Sequence, residues 1–386
     1  MVFPAPDPVL AVRYVEGSES VGGLFAEAGR LRDEAKGRRV TYSPKVFVPL
    51  TTLCRDACTY CTFAKPPGAG GEYLTPDDVL AIVAAGDHHG CTEALVTLGD
   101  RPEDRWPQAQ QFLDSHGCAS TLEYVAAVCR LIREESGLFP HPNPGLMSVP
   151  DMMALRPHSP SMGLMLENIS PRLLEPGMPH HGCPDKEPRR RVATIEAAAE
   201  ARVPFTSGIL VGIGETNAEV VDSLFALADL QERLGCIQEV IVQNFRAKDD
   251  TLMRRHAEPT VQYMARVVAV ARWILGPEMN LQVPPNLTED FGVYLDAGIN
   301  DWGGVSPLTI DWVNPEAPWP QLERLQNVTE SRGFDLTARL PIYPEYITEE
   351  WVDGGLLGDV TDAADDDGYA RTFQTETAIG IGGVAP

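Results

Sequence analysis

The sequence lacks a long hydrophobic run: in its 386 residues, no apolar stretch approaches the ~20 residues that a membrane-spanning helix needs. Its first residues, Met-Val-Phe-Pro-Ala-Pro-Asp-Pro, also lack the basic stretch and apolar run of a secretory leader. We therefore predict a cytoplasmic protein without a membrane partner.

Basic residues are scarce, with 31 Lys and Arg against 55 Asp and Glu and a net charge of −24. Phosphate binding needs a basic face, so this composition argues against a nucleic-acid partner. One basic cluster precedes the first predicted strand, and it could dock an acidic electron-transfer protein or simply form a solvated helix end. Its members are Arg30, Arg32, Lys36, Arg38, Arg39 and Lys45.

Cysteine is also sparse, and five of the eight cysteines follow no pattern, which argues against a disulfide framework. The other three, Cys54, Cys58 and Cys61, have Cys-x3-Cys-x2-Cys spacing. Thiolates hold iron–sulfur clusters, and three protein ligands on a four-iron cluster leave one iron open. We predict that these residues hold such a cluster, with a structural zinc site or buried unliganded thiols as alternatives.

Short apolar runs alternate with longer amphipathic stretches, which predicts a parallel α/β fold. Eight strand–helix units fit a TIM-type (β/α)8 barrel, complete or partly open, for which about 250 residues is typical. A doubly wound open sheet is the competing topology. The predicted strands are Lys45–Thr51, Thr92–Leu98, Leu146–Val149, Ser161–Asn168, Pro204–Leu210, Gln238–Gln243, Asn280–Val283 and Asp301–Val305.

The hydrophobic content of 44% predicts one principal domain. We place an N-terminal extension and helix at residues 1–39 and the barrel core at residues 40–313. Residues 314–386 are rich in proline and acidic residues and end in a glycine-rich run, so we predict a C-terminal cap followed by a flexible tail.

The cysteine motif, with Tyr60 directly before its third cysteine, resembles the radical S-adenosylmethionine superfamily. The resemblance implies a 4Fe-4S cluster whose open iron binds the amino and carboxylate groups of S-adenosylmethionine. One electron then breaks a carbon–sulfur bond and releases a 5'-deoxyadenosyl radical. Tyr60 is counted among the cofactor-binding residues on the same basis.

The resemblance also predicts where S-adenosylmethionine binds. Gly99, Asp100 and Glu103 follow the second strand, where related enzymes carry a Gly-Gly-Glu loop, although this stretch could be an ordinary polar turn. A glycine there lets the backbone approach the methionine moiety, and a carboxylate accepts from its ammonium group. Either Asp100 or Glu103 could supply that carboxylate.

Four further residues follow later strands and receive cofactor roles from the resemblance. Glu167, after the fourth strand, is assigned to the ribose hydroxyls, and Arg191 to the methionine carboxylate. Gly212 and Glu215 belong to a glycine-rich turn after the fifth strand that is assigned to the adenine. Each has a simpler alternative: a strand-end carboxylate facing water, a solvated basic face, or a turn that binds nothing.

Several runs occur in order over residues 40–345, among them Thr-Leu-Gly-Asp-Arg-Pro-Glu, Leu-Met-Leu-Glu-Asn and Asn-Asp-Trp-Gly-Gly-Val. Together they resemble the 7,8-didemethyl-8-hydroxy-5-deazariboflavin (FO) synthase family, either its first radical subunit or the N-terminal module of the fused form. The resemblance implies a radical lyase of coenzyme F420 biosynthesis that closes the deazaflavin ring with loss of ammonia. Its small-molecule substrate would be an adduct of tyrosine and a ribityluracil.

The same resemblance implies two partners: a second radical subunit or module that makes the adduct, and an electron donor of the flavodoxin or ferredoxin type. Amide, hydroxyl and charged groups on the later strands suit the uracil edge and ribityl chain, although each could cap a turn instead. These candidates are Gln243, Asn244, Arg246, Asn286, Asn300, Asp301 and Ser306. No catalytic acid or base can be assigned.

Two alternative functions remain open. Another radical enzyme of the biotin synthase group would share the barrel, but Thr206 stands where such an enzyme places a further cluster ligand. A non-catalytic iron–sulfur or zinc module is the other alternative. Such a module would not need Glu167, Gly212 and Glu215 at successive strand ends.

Overall fold

The computed structural model describes residues 3–371, so the predicted glycine-rich tail after residue 371 lies outside the described part of the chain. In the described part, nine strands form one sheet. They are β1 Arg39–Thr51, β2 Glu93–Leu98, β3 Phe139–Asn143, β4 Met162–Gly163, β5 Phe205–Val211, β6 Ile237–Asn244, β7 Asn280–Gln282, β8 Asp301–Val305 and β9 Asp335–Ala338.

The strands form a barrel that is open along one seam. Their order is β3-β2-β1-β8-β7-β6-β5-β4, all neighbours are parallel, and no ladder joins β3 to β4 among the described residues. The two edge strands, β3 and β4, still contact each other across the seam, so the sheet curls round on itself. The predicted α/β barrel is therefore confirmed in its partly open form, and the doubly wound alternative is wrong.

The third strand is not where the sequence pattern placed it. Residues 146–149 lead into a helix, and the strand is Phe139–Asn143, which contains two prolines. Proline lacks a backbone N–H and is tolerated in a sheet only where that donor is not needed. Phe139 donates its N–H to Thr92 of the neighbouring chain segment at 2.9 Å, so Pro140 and Pro142 face the open seam.

Helices surround the barrel, and several predicted ones match within a residue or two. Thr75 and Asp78 form a capping box in which the Thr75 N–H donates to Asp78 Oδ2 at 2.9 Å, as the Thr-Pro-Asp-Asp sequence suggests. The helices are α1 Pro8–Glu16, α2 Gly22–Lys36, α3 Pro76–His88, α4 Pro107–Ser115, α5 Thr121–Glu135, α6 Val149–Leu155, α7 Pro188–Glu200, α8 Asn217–Leu234, α9 Val261–Leu275, α10 Val293–Asp296, α11 Leu322–Ser331 and α12 Leu357–Ala363.

The C-terminal segment closes the end of the barrel where the strands begin. Strand β9 pairs with residues 39–42 of β1, and Arg339 reaches from it into the interior. The Arg339 guanidinium donates to Asp301 Oδ2 at 2.7 Å and to Glu239 Oε1 at 3.0 Å, and the Tyr343 hydroxyl donates to Glu239 at 2.9 Å. The division at residues 39/40 and 313/314 stays our proposal.

This arrangement corrects two substrate-contact predictions. Asp301 is fully buried in the network with Arg339. The Asn300 carboxamide accepts from Arg272 at 2.8 Å and from the Leu281 N–H at 2.9 Å. Both residues therefore stabilise the fold.

None of the described helices has the length and apolar character to cross a membrane.

Candidate active site

The three motif cysteines lie on a loop that directly follows β1, at the end of the barrel where the strands finish. Cys54, Cys58 and Cys61 all line a cavity of about 310 Å³ inside that end, and they also line a hollow on the outer surface. Burial raises the pKa of Cys54 to about 12 and also raises that of Cys61. These thiols therefore need a metal to ionise at neutral pH. A converging set of three thiols fits a four-iron cluster with one open iron.

Close backbone packing holds this loop in place. The Trp106 indole donates to the Cys54 carbonyl at 2.9 Å, and the Lys65 N–H donates to the Thr52 carbonyl at 2.8 Å. A Cβ on Gly99 would lie 1.9 Å from the Leu53 carbonyl oxygen. Gly99 therefore lets β2 approach the cysteine loop, and its contact with the methionine moiety stays a prediction.

The structure separates the two carboxylates that follow Gly99. Asp100 lines the cavity and accepts from the Leu146 N–H at 3.2 Å, but its Oδ1 makes no hydrogen bond to a described residue, and Arg101 Nε lies 3.8 Å from it. Burial raises its pKa to about 7. Glu103 points elsewhere and accepts from the Thr121 N–H at 2.9 Å at the start of α5. We therefore withdraw Glu103 as a cofactor contact, because its carboxylate caps a helix.

Glu167 enters the cavity through a strained backbone. Its φ of +64° is unusual for a residue with a side chain, and such strain is often found at functional sites. Its carboxylate accepts from Lys186 Nζ at 2.6 Å and lies 3.8 Å from Arg191 Nη2. Burial alone would raise the pKa of Glu167, but Lys186 and Arg191 lower it overall. No sequence pattern marks Lys186 as part of the site.

Arg191 also lines the cavity, but its guanidinium already has protein partners. It donates to the Met165 carbonyl at 2.7 Å and to the Asp185 carbonyl at 2.8 Å. Its predicted contact with a carboxylate stays a prediction.

The segment after Pro179 packs against the cysteine loop. The Thr59 N–H donates to the Pro179 carbonyl at 3.1 Å, and the Tyr60 hydroxyl lies 3.0 Å from His180 Nε2. Cys183, one of the five cysteines without a pattern, lies beside the motif: its Sγ, the Cys58 Sγ and a carboxylate oxygen of Asp56 are within 4.8 Å of one another. Spacing along the chain gives no signal of this contact.

Gly212 and Glu215 form the turn after β5 and do not line the cavity. The Glu215 carboxylate accepts from the N–H groups of Gly212 at 2.5 Å and Ile213 at 2.8 Å. Gly212 has a φ of +98°, and a Cβ there would lie 2.3 Å from Pro259. Both residues therefore shape the turn, and contact with the adenine stays a prediction.

Comparisons with known proteins agree with this geometry. Residues 48–227 match the Radical SAM superfamily. The chain is 49% identical over 334 residues to the 7,8-didemethyl-8-hydroxy-5-deazariboflavin synthase of Methanopyrus kandleri, an alignment that covers 86% of this chain and all of that protein. It is 52% identical over 369 residues to the FO synthase of Streptomyces avermitilis, covering 92% of this chain and 43% of that protein.

The chain belongs to the FO synthase family. The resemblance inferred from the sequence motifs is confirmed. The chain spans less than half the length of the FO synthases of Streptomyces avermitilis and Mycobacterium tuberculosis, so only part of those proteins has a counterpart here.

Two solved structures share the fold of this FO synthase family member. The hydrogenase maturase HydG of Carboxydothermus hydrogenoformans superposes with a TM-score of 0.71 at 18% identity, over 87% of this chain and 77% of that one. Methylornithine synthase (PylB) superposes with a TM-score of 0.66 at 18% identity, over 85% of this chain and 97% of that one. These likenesses show the fold alone.

The predicted basic docking cluster is not brought together near the cysteines. Arg39 begins β1, whereas Cys54 follows its end, so roughly 40 Å of strand separates them. Arg32 is buried against the Leu295 carbonyl, and Lys45 points into the cavity. Arg30 is already paired with Glu27 and Glu34. The prediction that this cluster docks an electron donor is therefore wrong for this FO synthase family member.

Of the predicted substrate contacts, Gln243 lines the cavity. Arg246 donates to the Leu287 carbonyl at 3.0 Å, Asn286 donates to Asp311 at 3.0 Å, and Ser306 lies 2.6 Å from the Thr309 hydroxyl. Asn244 is buried beside the cavity without lining it. The late-strand pattern therefore identified one lining residue, whereas Arg246, Asn286 and Ser306 support nearby loops.

Proposed function

We propose that this chain is a radical lyase that forms the 7,8-didemethyl-8-hydroxy-5-deazariboflavin chromophore from the tyrosine–ribityluracil adduct. The observation that carries the proposal is one cavity lined by the three motif thiols, by Asp100, whose Oδ1 makes no hydrogen bond to a described residue, and by the strained Glu167. When bound, a 4Fe-4S cluster and S-adenosylmethionine supply abstraction of a hydrogen atom from the adduct. Membership of the FO synthase family gives the substrate class.

The chain's own residues would bind and orient these groups. Cys54, Cys58 and Cys61 would hold the cluster. Asp100 would accept from the ammonium group of S-adenosylmethionine, because its Oδ1 makes no hydrogen bond to a described residue. Glu167 would accept from the ribose hydroxyls, with Lys186 keeping it ionised.

The apolar part of the cavity would exclude water from the reaction. Phe47, Leu164, Leu210 and Trp319 form this part. Because water competes for polar contacts and allows side reactions of reactive intermediates, its exclusion favours the intended reaction.

We propose a second radical subunit or module as the source of the adduct. The longer FO synthases extend well beyond the region that matches this chain, which supports a further module there. The Methanopyrus kandleri protein matches along its full length, which supports a separate subunit in other members.

We further propose that a small acidic electron donor docks over the outer hollow beside the cysteine loop. Leu252 is 79% exposed at this hollow, which Arg105 also lines. Arg254 and Arg255 follow Leu252 and are exposed. In the described part of the chain, no carboxylate lies within 4 Å of these three guanidinium groups. Unpaired arginines on a protein of net charge −24 favour an acidic partner here.

Anaerobic reconstitution tests the function. The protein is loaded with iron and sulfide and supplied with reductant, S-adenosylmethionine and the adduct, and mass spectrometry follows 5'-deoxyadenosine and deazaflavin. We expect both products, and neither from Cys58→Ala. Formation of 5'-deoxyadenosine without deazaflavin would refute this substrate but keep a radical enzyme. Absence of both would favour a non-catalytic iron–sulfur or zinc module.

A further inference from the structure

Several polar side chains at the inner part of the cavity have no protein partner. Asn143, Gln243 and Gln282 end or nearly end their strands and line the cavity. Within residues 3–371, none of their carboxamides makes a hydrogen bond to a protein group, and Gln282 is buried. Buried polar groups are nearly always hydrogen-bonded, so these carboxamides are available to a ligand or to water.

Lys45 extends into the same place from the middle of β1. Its Nζ lies 3.3 Å from Glu93 Oε1, and this is its one hydrogen bond to a described residue. An ammonium group has three hydrogens to donate, so two remain for the cavity. The chain also makes room for this side chain, because a Cβ on Gly304 would lie 1.3 Å from Lys45 Cε.

The charges here favour a neutral ligand over an anion. Lys45 is balanced by Glu93, whose second oxygen accepts from Ser43, so the group as a whole carries no net charge. A phosphate or carboxylate would have to compete with the buried Glu93 for the same ammonium. A carbonyl oxygen can accept from Lys45 while that ion pair stays intact.

We propose that Lys45, Gln243 and Gln282 form a subsite for a cyclic imide, the pyrimidinedione ring of the substrate. Carboxamides present both donors and an acceptor, which match the alternating carbonyl and N–H groups along an imide edge. Lys45 donates to a ring carbonyl, and Phe47, Leu95 and Ile241 supply apolar contacts to the ring. This inference rests on the proposed function and assigns the part of the substrate that each residue binds.

The test compares three variants of the reconstituted holoenzyme with S-adenosylmethionine present. Lys45→Met removes the ammonium and keeps an unbranched apolar chain, and Gln282→Leu removes a carboxamide. Lys36→Met is the matched control: Lys36 also pairs with one carboxylate, Glu345 at 3.4 Å, and its side chain is 15% exposed against 12% for Lys45, but it lies outside the cavity.

Equilibrium dialysis with 5-amino-6-(D-ribitylamino)uracil as the probe measures binding, and steady-state kinetics give KM for the adduct. We expect Kd and KM to rise by roughly tenfold or more in Lys45→Met and Gln282→Leu, because each variant loses one good hydrogen bond to the substrate. Lys36→Met should stay within about twofold. Cleavage of S-adenosylmethionine without substrate is measured in all three, and Lys36→Met should match the wild type.

Unchanged Kd and KM in both cavity variants would overturn the subsite. The proposed function would still stand if the wild type formed deazaflavin. If Lys45→Met fails to fold because Glu93 is left unpaired, Gln282→Leu decides. A wild type that binds neither probe nor adduct would overturn both the subsite and the proposed function.

Discussion

The two ends of the barrel differ in whether their buried polar groups have hydrogen-bond partners. Where the strands begin, Arg339, Asp301, Glu239 and Tyr343 satisfy one another. Where the strands finish, Asp100 Oδ1 makes no hydrogen bond to a described residue. An unsatisfied buried polar group costs about 1–3 kcal/mol, so a fold retains one only for a reason. The comparison indicates that the first end stabilises the protein and that the second is kept ready for ligands.

The difference between the two ends also gives different roles to basic residues of the same strand. Lys45 lies in the middle of β1, where its side chain reaches a ligand cavity, whereas Arg39 at the start of the same strand pairs with Asp367 at the surface. Position along a strand of a parallel barrel therefore predicts the role of a basic residue better than charge does.

The largest effect should come from removing a thiol at the ligand end. Cys61→Ala should lower bound iron and reduce 5'-deoxyadenosine formation to background, because two thiolates do not hold a four-iron cluster in place of three. Cys118→Ala, a half-buried cysteine away from the cavity, is the control and should behave as the wild type. Iron and sulfide analysis with product assays checks this. Full iron content in Cys61→Ala would show that the Cys61 thiol is not needed to hold the cluster.

At the opposite end, Arg339→Met should act on stability. It leaves Asp301 and Glu239 buried without their cation, and breaking a buried ion pair in this way costs about 3–5 kcal/mol. Arg233→Met, which removes an exposed pair with Asp229, should cost about 0.5 kcal/mol or less. Urea unfolding of both variants measures the difference. If the folded Arg339→Met protein lost S-adenosylmethionine cleavage instead of stability, the two ends would not have separate roles.

A smaller effect should follow from pH at the same end. His141 lies 2.7 Å from the Ser161 hydroxyl, and burial lowers its pKa from its usual value of 6.5 to about 4. The unfolded chain therefore binds this proton first, so the contribution to stability is complete above pH 6.5 and is lost as pH falls towards 4. At pH 5 the loss is about 2 kcal/mol.

His141→Asn keeps a polar group beside Ser161 but cannot titrate, so it tests this assignment. The wild type should lose more stability than the variant between pH 7 and pH 5, measured by urea unfolding of the reduced, metal-free protein. Equal losses would show that another group controls the acid sensitivity of this end.

The sequence predicts local features well, because these depend on neighbouring residues. The cysteine spacing is confined to one loop, and the capping box at Thr75 lies within four residues. The third strand was missed because its prolines, Pro140 and Pro142, disfavour a strand everywhere except at the seam that they face. Knowledge of that seam requires the strand order.

The site was predicted only in part for a similar reason. Lys186 pairs with Glu167 from a loop that no periodic pattern describes, and Glu103 turned to cap α5 although it stands three residues from Asp100. Side-chain direction at a loop depends on tertiary packing. Sequence identified where most strand ends lie along the chain but could not show which side chains enter the cavity.

The smallest expected effect comes from reversing surface charge at one end of the barrel or the other. Arg254→Glu combined with Arg255→Glu places negative charge beside the outer hollow, whereas Arg30→Glu combined with Arg38→Glu makes the same change at the opposite end. With a reduced flavodoxin as donor, the first pair should slow 5'-deoxyadenosine formation by roughly three- to tenfold at low salt, because repulsion slows encounter. The second pair should have little effect.

Dithionite separates docking from damage to the site, since this small reductant does not need a docking surface. Both double variants should match the wild type when dithionite replaces the flavodoxin, and added salt should shrink the difference seen with the flavodoxin because exposed charges are screened. A slower rate with dithionite as well would mean that the substitutions disturb the cysteine loop, which the Met253 N–H contacts through the Thr59 carbonyl at 3.3 Å. If only the variant with Arg30→Glu and Arg38→Glu were slower, the electron donor would dock at the end where the strands begin. The roles of the two ends in electron transfer would then be reversed.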